Sequence, residues 1–426
     1  MSPRLIISFI LFFIGVSPIF SQYENLTFKN KVYTSYAKSV TFELADAPLS
    51  FPIINLNASM NTKLVLKFDD IENTGNSFIY DLIHCDRDWN PSTIDNIEYL
   101  DGFTDEEIEM MDFSFSTFLE YTQYTLLLPN DDIKWNYSGN YLLVVYEDNS
   151  KKQPVLTRRF LVVDNKISLS TTNVIPSDPL KYETHQEFDF QANIKGQEFD
   201  DPLVSISAVV LQNYNWESAI YGLTPKFTNR DNLVFDYGDV VVFPGIKEYR
   251  NFDTRTLISP GLNVNTVDFK LESTDVLLDL QHDRAYRTFH TRNDANGGFI
   301  MYTQDRPEEN LSAEYTNVIF VLETDRIEED VYIVGGFNNY LPTEEHQMFY
   351  DEKRRSYIGK ILLKQGYYDY LFAVDKKGKL DLTALEGSWH ETENDYTVLM
   401  YYRSYYEGYD QLIGITQGDI NSQDRR

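Results

Sequence analysis

A group of carboxylates around one tryptophan is the part of this sequence closest to catalytic machinery. Glu386, Glu391, Glu393 and Asp395 lie on either side of Trp389. A glycoside hydrolase needs two carboxylates roughly 5 to 10 Å apart across a cleft. Acidic residues are common along the whole chain, however, so their proximity in sequence carries little information. The segment is more typical of a polar connection between two strands, with Trp389 packed against the domain.

Histidine and cysteine give no sign of a metal site or a nucleophile. The six histidines are scattered, and none shows His-Glu-x-x-His spacing. His84, Cys85 and Asp86 are adjacent, but neighbours on a strand point to opposite faces and cannot converge on a metal. Cys85 lies in an apolar run and is typical of a small core residue. We therefore predict a non-enzymatic protein with no catalytic residue, no bound metal and no cofactor.

The turn GGFNNY at residues 335–340 is the most distinctive short motif. It follows a strand but precedes no helix, so it is not a nucleotide-binding loop. It resembles the Gly-x-x-Asn-x-aromatic turn of glycogen-binding-like early-set sandwiches, whose sugar-binding members usually stack rings on tryptophans. Here the nearby aromatic residues are phenylalanine and tyrosine. We take five residues as candidates for partner binding: Phe337, Asn338, Asn339, Tyr340 and Trp389.

Short alternating apolar runs separated by Gly, Asn and Asp turns predict that strands position these residues. In the run at 367–374, Tyr368, Tyr370, Phe372 and Val374 share one face. YLLVVY at 141–146 is apolar on both faces, which is typical of a strand inside a packed sheet. The runs at 63–68 and 78–85 predict a strand pair joined by a turn. One short helix is expected at TDEEIEMM, where Thr104 and Glu107 have capping spacing.

The predicted fold class is therefore all-β, with tandem immunoglobulin-like or early-set β-sandwich domains and little helix. The predicted divisions are a signal peptide at 1–21, an N-terminal sandwich at 22–164, a middle sandwich-like domain at 165–310, a C-terminal early-set-like sandwich at 311–414 and a frayed tail at 415–426.

Charge and the first residues restrict the function further. The chain has 66 acidic and 37 basic side chains, a net charge of −29, which argues against binding to nucleic acid. Its first residues combine Arg4 with an apolar run of about a dozen residues, which indicates a secretory signal and export. With one cysteine, no intramolecular disulfide can form, so packing must supply the stability.

Several motifs taken together resemble one family along nearly the whole mature chain. They are HCDRDWNPS at 84–92, EYLDGF at 98–103, YTLLLPN at 124–130, SGNYLLVVY at 138–146, RRFLVV at 158–163, EGSWHETENDYTVLMYYR at 386–403 and YDQLIG at 409–414. These resemble the plug protein family of the Bacteroidetes type IX secretion system translocon. The two closing motifs are the most specific.

The resemblance implies a periplasmic plug that binds and seals the periplasmic mouth of a giant outer-membrane barrel. The implied partner is that large β-barrel translocon subunit, and the protein would be associated with the periplasmic face of the outer membrane through it. No nucleic acid is expected as a partner, and the protein alone is expected to be monomeric. The alternative is a periplasmic glycan-binding protein or glycosidase that uses the C-terminal sandwich.

Overall fold

A computed structural model describes residues 23, 25–59, 61–72, 75–148, 153–306 and 311–419. The predicted signal peptide at 1–21 lies outside the described residues. Within them, nearly all regular structure is strand, which confirms the all-β fold class. In the described part of the chain, no helix is long and apolar enough to cross a membrane.

The described residues of the first unit, between 23 and 164, form twelve strands and one short helix. They are β1 (Lys31–Val32), β2 (Ala37–Leu44), β3 (Ile53–Asn55), β4 (Leu64–Asp70), β5 (Phe78–Cys85), α1 (Asn96–Tyr99), β6 (Leu100–Gly102), β7 (Glu106–Glu107), β8 (Met110–Phe113), β9 (Thr122–Leu128), β10 (Ile133–Trp135), β11 (Gly139–Glu147) and β12 (Pro154–Val163).

The next stretch, up to residue 246, contains seven strands, a short helix and a 3-10 turn at Pro179–Lys181. They are β13 (Ser168–Val174), β14 (His185–Asn193), α2 (Pro202–Ser205), β15 (Ile206–Gln212), β16 (Asn215–Leu223), β17 (Phe227–Asn229), β18 (Asn232–Phe235) and β19 (Val242–Pro244).

The described residues from 247 to 419 form the remaining thirteen strands, with 3-10 turns at Gly336–Asn338 and Glu344–His346. They are β20 (Arg250–Asp253), β21 (Val264–Phe269), β22 (Thr274–Leu278), β23 (Gln281–His282), β24 (Phe299–Met301), β25 (Tyr315–Glu323), β26 (Val331–Val334), β27 (Gln347–Asp351), β28 (Ser356–Lys364), β29 (Gly366–Asp375), β30 (Leu380–Asp381), β31 (Asp395–Arg403) and β32 (Asp410–Asp419).

Two sheets of the first unit form a sandwich. Sheet 1 has the order β2-β4-β9-β8, and sheet 2 has the order β1-β12-β11-β5-β7 with β3 beside β12. Successive side chains along β11 point to opposite faces of sheet 2, and each face packs into a different apolar core. Tyr141 and Leu143 point into the core shared with sheet 1, whereas Leu142 and Val144 point into a second core on the opposite face. The prediction of a strand buried on both faces is confirmed.

That second core joins sheet 2 to sheet 3, which has the order β16-β15-β31-β32. Val209 and Leu399 of sheet 3 meet Leu142 and Leu161 of sheet 2 there. The other face of sheet 3 packs on sheet 4, with the order β13-β14-β18-β17 and β19 beside β14. Sheets 1 to 4 therefore form a continuous stack with three apolar cores. We call sheets 3 and 4 the second unit.

Strands β20 to β30 form a third unit, an eleven-stranded sheet around its own core. The chain enters it after Ile246 and leaves it before Trp389, and the two positions are adjacent because the Trp389 N–H donates to the Ile246 carbonyl at 3.0 Å. The third unit is thus an insertion between the strands of the second.

The strand pairing does not follow the predicted limits of 165–310 and 311–414. Strands β31 and β32 complete the second unit, and β20 to β24 belong to the third. Strand β32 also continues to Asp419, so residues 415–419 are strand where a frayed tail was predicted; 420–426 lie outside the described residues. The division into independently folding domains stays a prediction.

Two local predictions were wrong. The segment expected to be a helix, TDEEIEMM, forms β7 and the start of β8, because β5 and β9 offer free sheet edges to it. The runs at 63–68 and 78–85 are strands, but they do not pair with each other. Strand β4 lies in sheet 1 and β5 in sheet 2, so the two face each other across the sandwich.

Candidate partner-binding surfaces

The predicted turn GGFNNY is held rigidly. The Asn338 side chain accepts from the Gly335 N–H at 3.0 Å and donates to the Ile333 carbonyl at 3.0 Å. Asn339 and Tyr340 both have left-handed backbone conformations, with φ of 54° and 57°; asparagine tolerates this conformation well. The Asn-Asn pair therefore serves the turn geometry.

The same turn contacts the first unit and packs against other residues of the third unit. The Asn30 side chain of the first unit donates to Asn339 Oδ1 at 3.0 Å. The Tyr340 hydroxyl is buried and lies 2.8 Å from that of Tyr249. Phe337 is half-buried, with its ring 5.9 Å from Tyr368 and 5.8 Å from His346. Of the four predicted turn residues, only Phe337 and Asn339 keep partial exposure, and both line a cleft between the first and third units.

Trp389 lies away from this turn, at the point where the chain leaves the third unit. It is half-buried, its ring centroid is 6.4 Å from that of Phe289, and Lys247 Nζ lies 5.6 Å from the ring. No ring contact joins it to Phe337 among the described residues. The structure therefore does not bring the five predicted residues together into one site.

The carboxylates near Trp389 also have different structural roles. Glu386 is fully buried and accepts from Arg250 at 2.9 Å and from Arg284 at 2.7 Å. Burial opposes its charge, but the two guanidinium groups outweigh this and lower the Glu386 pKa to about 2. It is a fixed anion inside the third unit. Asp395 accepts from the Asn296 side chain at 2.9 Å.

His84 and Cys85 are core residues, as alternation along β5 requires. Cys85 is fully buried, and burial raises its pKa. Burial lowers the pKa of His84 to about 4, so its ring is neutral at pH 7. Among the described residues, no three His, Cys, Asp or Glu side chains come together in a way that could hold a metal ion.

An exposed apolar segment that the sequence reasoning missed lies on the first unit. Strand β8 is an edge of sheet 1, and the segment from Phe103 to Phe118 runs before, along and beyond it. Six large apolar side chains of this segment are between 51% and 77% exposed: Phe103, Met110, Met111, Phe113, Phe115 and Phe118. We call them the β8 edge patch. The clustering of Met and Phe in a short polar segment was the available signal.

The β8 edge patch is strongly acidic at its borders. Residues 101–120 contain seven Asp or Glu side chains and no Lys or Arg. The segment after β8 is fixed to the third unit, since the Phe115 N–H donates to the Leu311 carbonyl at 3.0 Å and the Phe118 N–H to Glu314 at 2.6 Å. The exposed rings are therefore carried by a backbone with defined anchors.

Two cavities lie where the units meet. One has a volume of about 430 Å³ and is lined by residues of all three units, including Phe51, Trp216 and Asn296. The cleft between the first and third units has about 780 Å³. Arg158, Asn339 and Leu341 line both the cavity and the cleft, so the two spaces are adjacent.

Comparison with known proteins finds a family-model match over the first unit and a solved structure of similar fold. Residues 37–164 match the family model described as type 9 secretion system plug protein 1st domain. The chain is also similar to the crystal structure of a hypothetical protein from Parabacteroides merdae ATCC 43184. The TM-score is 0.88 with 27% sequence identity, over 92% of this chain and 100% of that one. No curated protein matches the sequence.

Proposed function

Because residues 37–164 match the model for the first domain of the type 9 secretion system plug protein family, we propose that the chain is a non-enzymatic plug of a protein translocon. In this proposal it binds and seals the periplasmic mouth of the large outer-membrane barrel through which folded cargo leaves. The family match over the first unit is the observation that carries the proposal.

The packing supports such a role, since a body that blocks a wide pore must resist deformation. Three continuous apolar cores connect sheets 1 to 4. The third unit is fixed to the first by a buried ion pair, Lys364 with Asp69 at 2.7 Å, and by the Tyr121 hydroxyl, which donates to the Ala313 carbonyl at 3.2 Å. These contacts give one stiff block instead of units on flexible linkers.

The β8 edge patch is the surface that we propose contacts the barrel. Contiguous exposed apolar side chains mark interaction sites, and an unprotected strand edge can pair with a strand of a partner. Aromatic residues and methionine are enriched at protein interfaces. The surrounding carboxylates favour a partner surface that is apolar at its centre and basic at its rim.

The alternative of a glycan-binding protein or glycosidase has no specific observation in its favour. The rings of Phe337 and Trp389 contact protein side chains and share no site. Glu386 is locked between two arginines and cannot deliver a proton at neutral pH.

Affinity capture tests the proposal. A tagged full-length protein, crosslinked in cells and purified from gently solubilised membranes, should recover one very large outer-membrane barrel. The Phe113→Ser/Phe115→Ser variant should recover much less of it, by about tenfold or more, because it removes two central rings of the patch. Leu271→Ser, which removes a 91% exposed side chain of the third unit, should recover as much as the unmodified protein.

Two outcomes would count against the proposal in different ways. Recovery of no outer-membrane protein by the unmodified chain contradicts the plug function. Equal recovery by the patch variant and by Leu271→Ser leaves the plug function intact but places the contact elsewhere.

A further inference from the structure

The cleft between the first and third units contains a buried cation without a counter-charge. Arg158 of β12 is 5% exposed. Its Nη1 donates to the carbonyl oxygens of Thr157 at 2.8 Å and Lys31 at 3.4 Å. Within the described residues, no carboxylate pairs with its guanidinium, and neither Nε nor Nη2 has a hydrogen-bond partner. Burial alone lowers the Arg158 pKa to about 10, so the group stays charged.

Such an arrangement is costly unless something else satisfies it. A buried charge without a partner is strongly destabilising in a folded protein. The neighbouring Arg159 shows the contrast, since its guanidinium donates to the Phe28 carbonyl and lies 4.3 Å from the Trp89 ring. Arg158 lacks such contacts on one edge and lines the cleft. An anion in the cleft would supply the missing partner.

One wall of the cleft is apolar and aromatic. Phe299 stacks on Tyr368 with centroids 5.8 Å apart and planes at 9°, and Phe337 meets the same ring edge-on. Met301 and Leu363 line the cleft beside them. A space of about 780 Å³ with such walls suits an extended hydrocarbon chain.

The rim of the cleft is basic, although the chain as a whole is strongly acidic. Lys29, Lys31 and Lys38 line it together with Arg158, against the two acidic side chains Glu344 and Glu345. Lys38 pairs with Glu345 at 2.7 Å across the two units, and Lys29 pairs with Glu217 at 2.8 Å. Among the described residues, Lys31 and Arg158 are the lining cations that have no ion pair. The local charge therefore favours an anionic ligand.

We propose that this cleft binds a long-chain carboxylate. The head group lies on the free Nε and Nη2 edge of Arg158, and the chain extends along the wall of Phe299, Phe337 and Tyr368. The two parallel donors of that edge match the two oxygens of a planar carboxylate. A phosphate head group carries more charge than one such edge neutralises. This binding activity is independent of the proposed plug function.

Calorimetric titration of the purified mature protein with dodecanoate, below its micelle concentration, tests the proposal. We expect saturable binding at one site, and at least about tenfold weaker binding of dodecanol, which has the same chain without the charge. Dodecyl phosphate should bind more weakly than dodecanoate. Arg158→Gln should weaken dodecanoate binding at least about tenfold, whereas Lys195→Gln, at an exposed site on the second unit, should leave it unchanged.

A second variant covers the case in which Arg158→Gln fails to fold. Met301→Glu changes a half-buried residue of the apolar wall and should weaken dodecanoate binding by repelling its charge and chain. Absence of saturable dodecanoate binding, equal binding of dodecanol, or unchanged affinity in either variant would overturn the proposal. Tighter binding of dodecyl phosphate would overturn the assignment of a carboxylate.

Discussion

The buried ion pair between Asp69 and Lys364 should be a main stabilising contact between the first and third units. Lys364 Nζ lies 2.7 Å from Asp69 Oδ2, and the side chains are 4% and 0% exposed. The Tyr315 hydroxyl donates to the same oxygen at 2.7 Å, and the Gln123 side chain donates to the other oxygen at 3.1 Å. Asp69→Asn would leave the ammonium group buried without a counter-charge.

The expected cost of this change follows from the geometry. Removing one partner of a buried pair costs about 3–5 kcal/mol. Lys364 Nζ also lies 3.9 Å from the Tyr121 ring centroid, and a desolvated cation over a ring retains about 2 kcal/mol. We therefore expect Asp69→Asn to lower the free energy of unfolding by about 3 kcal/mol, the lower end of that range. Lys364→Met should cost a similar amount, because it leaves the carboxylate buried with only its neutral donors.

Urea unfolding followed by circular dichroism at pH 7 measures these changes. The double variant should lose less than the sum of the two single variants by about 2 kcal/mol, because it removes both charges. Glu352→Gln is the matched control. It breaks a pair of similar length, 2.6 Å to Arg326, whose side chains are 68% and 69% exposed, and should cost less than about 1 kcal/mol. An Asp69→Asn loss no larger than this, or additive single-variant losses, would refute the reasoning.

Two further predictions concern titration and chain topology. Burial and the neighbouring Asp294 raise the Asp369 pKa to about 7, well above its value in an unfolded chain. The folded state therefore binds this proton more tightly than the unfolded state, and the free energy of unfolding falls as the pH rises from about 4 to 7. Asp369→Asn should remove this decline. Between pH 4 and 7, the free energy of unfolding of the variant should rise relative to that of the wild type by about 1.4 kcal/mol per unit of pKa shift. A difference between the two proteins that does not change with pH would contradict the prediction. Replacing residues 247–388 by a short glycine linker should leave sheets 1 to 4 folded by circular dichroism and proteolysis, because Ile246 and Trp389 are adjacent. Deleting 395–419 should instead unfold the second unit, and the opposite pattern would show that the insertion is misassigned.

Local patterns in the sequence predicted many of the strands, though not β7 and β8, and did not predict the strand partners. The unbroken apolar run at 141–146 was enough to predict that β11 is buried on both faces. Strand β15 pairs with β31, and Val209 lies opposite Leu399 although 190 residues separate them in the chain. The apolar pattern of β31 does not distinguish it from other apolar strands as a partner of β15. Local sequence patterns therefore could not show that the third unit is inserted into the second.

The candidate surfaces show the same limit. The motif GGFNNY was predicted as a turn after a strand, and Asn339 fits the left-handed geometry found there. Burial of the Tyr340 hydroxyl against Tyr249 depends on a contact 91 residues away and could not be predicted. The β8 edge patch was missed because its acidic residues and capping pattern favoured a helix, whereas pairing with Thr122–Leu128 made it an edge strand. Arg158 gave no signal, since its isolation from carboxylates exists only in three dimensions.

Conductance through the barrel tests the central claim most directly. The barrel captured with the tagged protein would be purified without it and placed in a planar lipid bilayer. Adding the protein to the side that corresponds to the periplasm should close the large open-pore conductance, and the Phe113→Ser/Phe115→Ser variant should close it only at much higher concentration. A conductance that the unmodified protein leaves unchanged at saturating concentration would contradict the proposal that this chain is a plug.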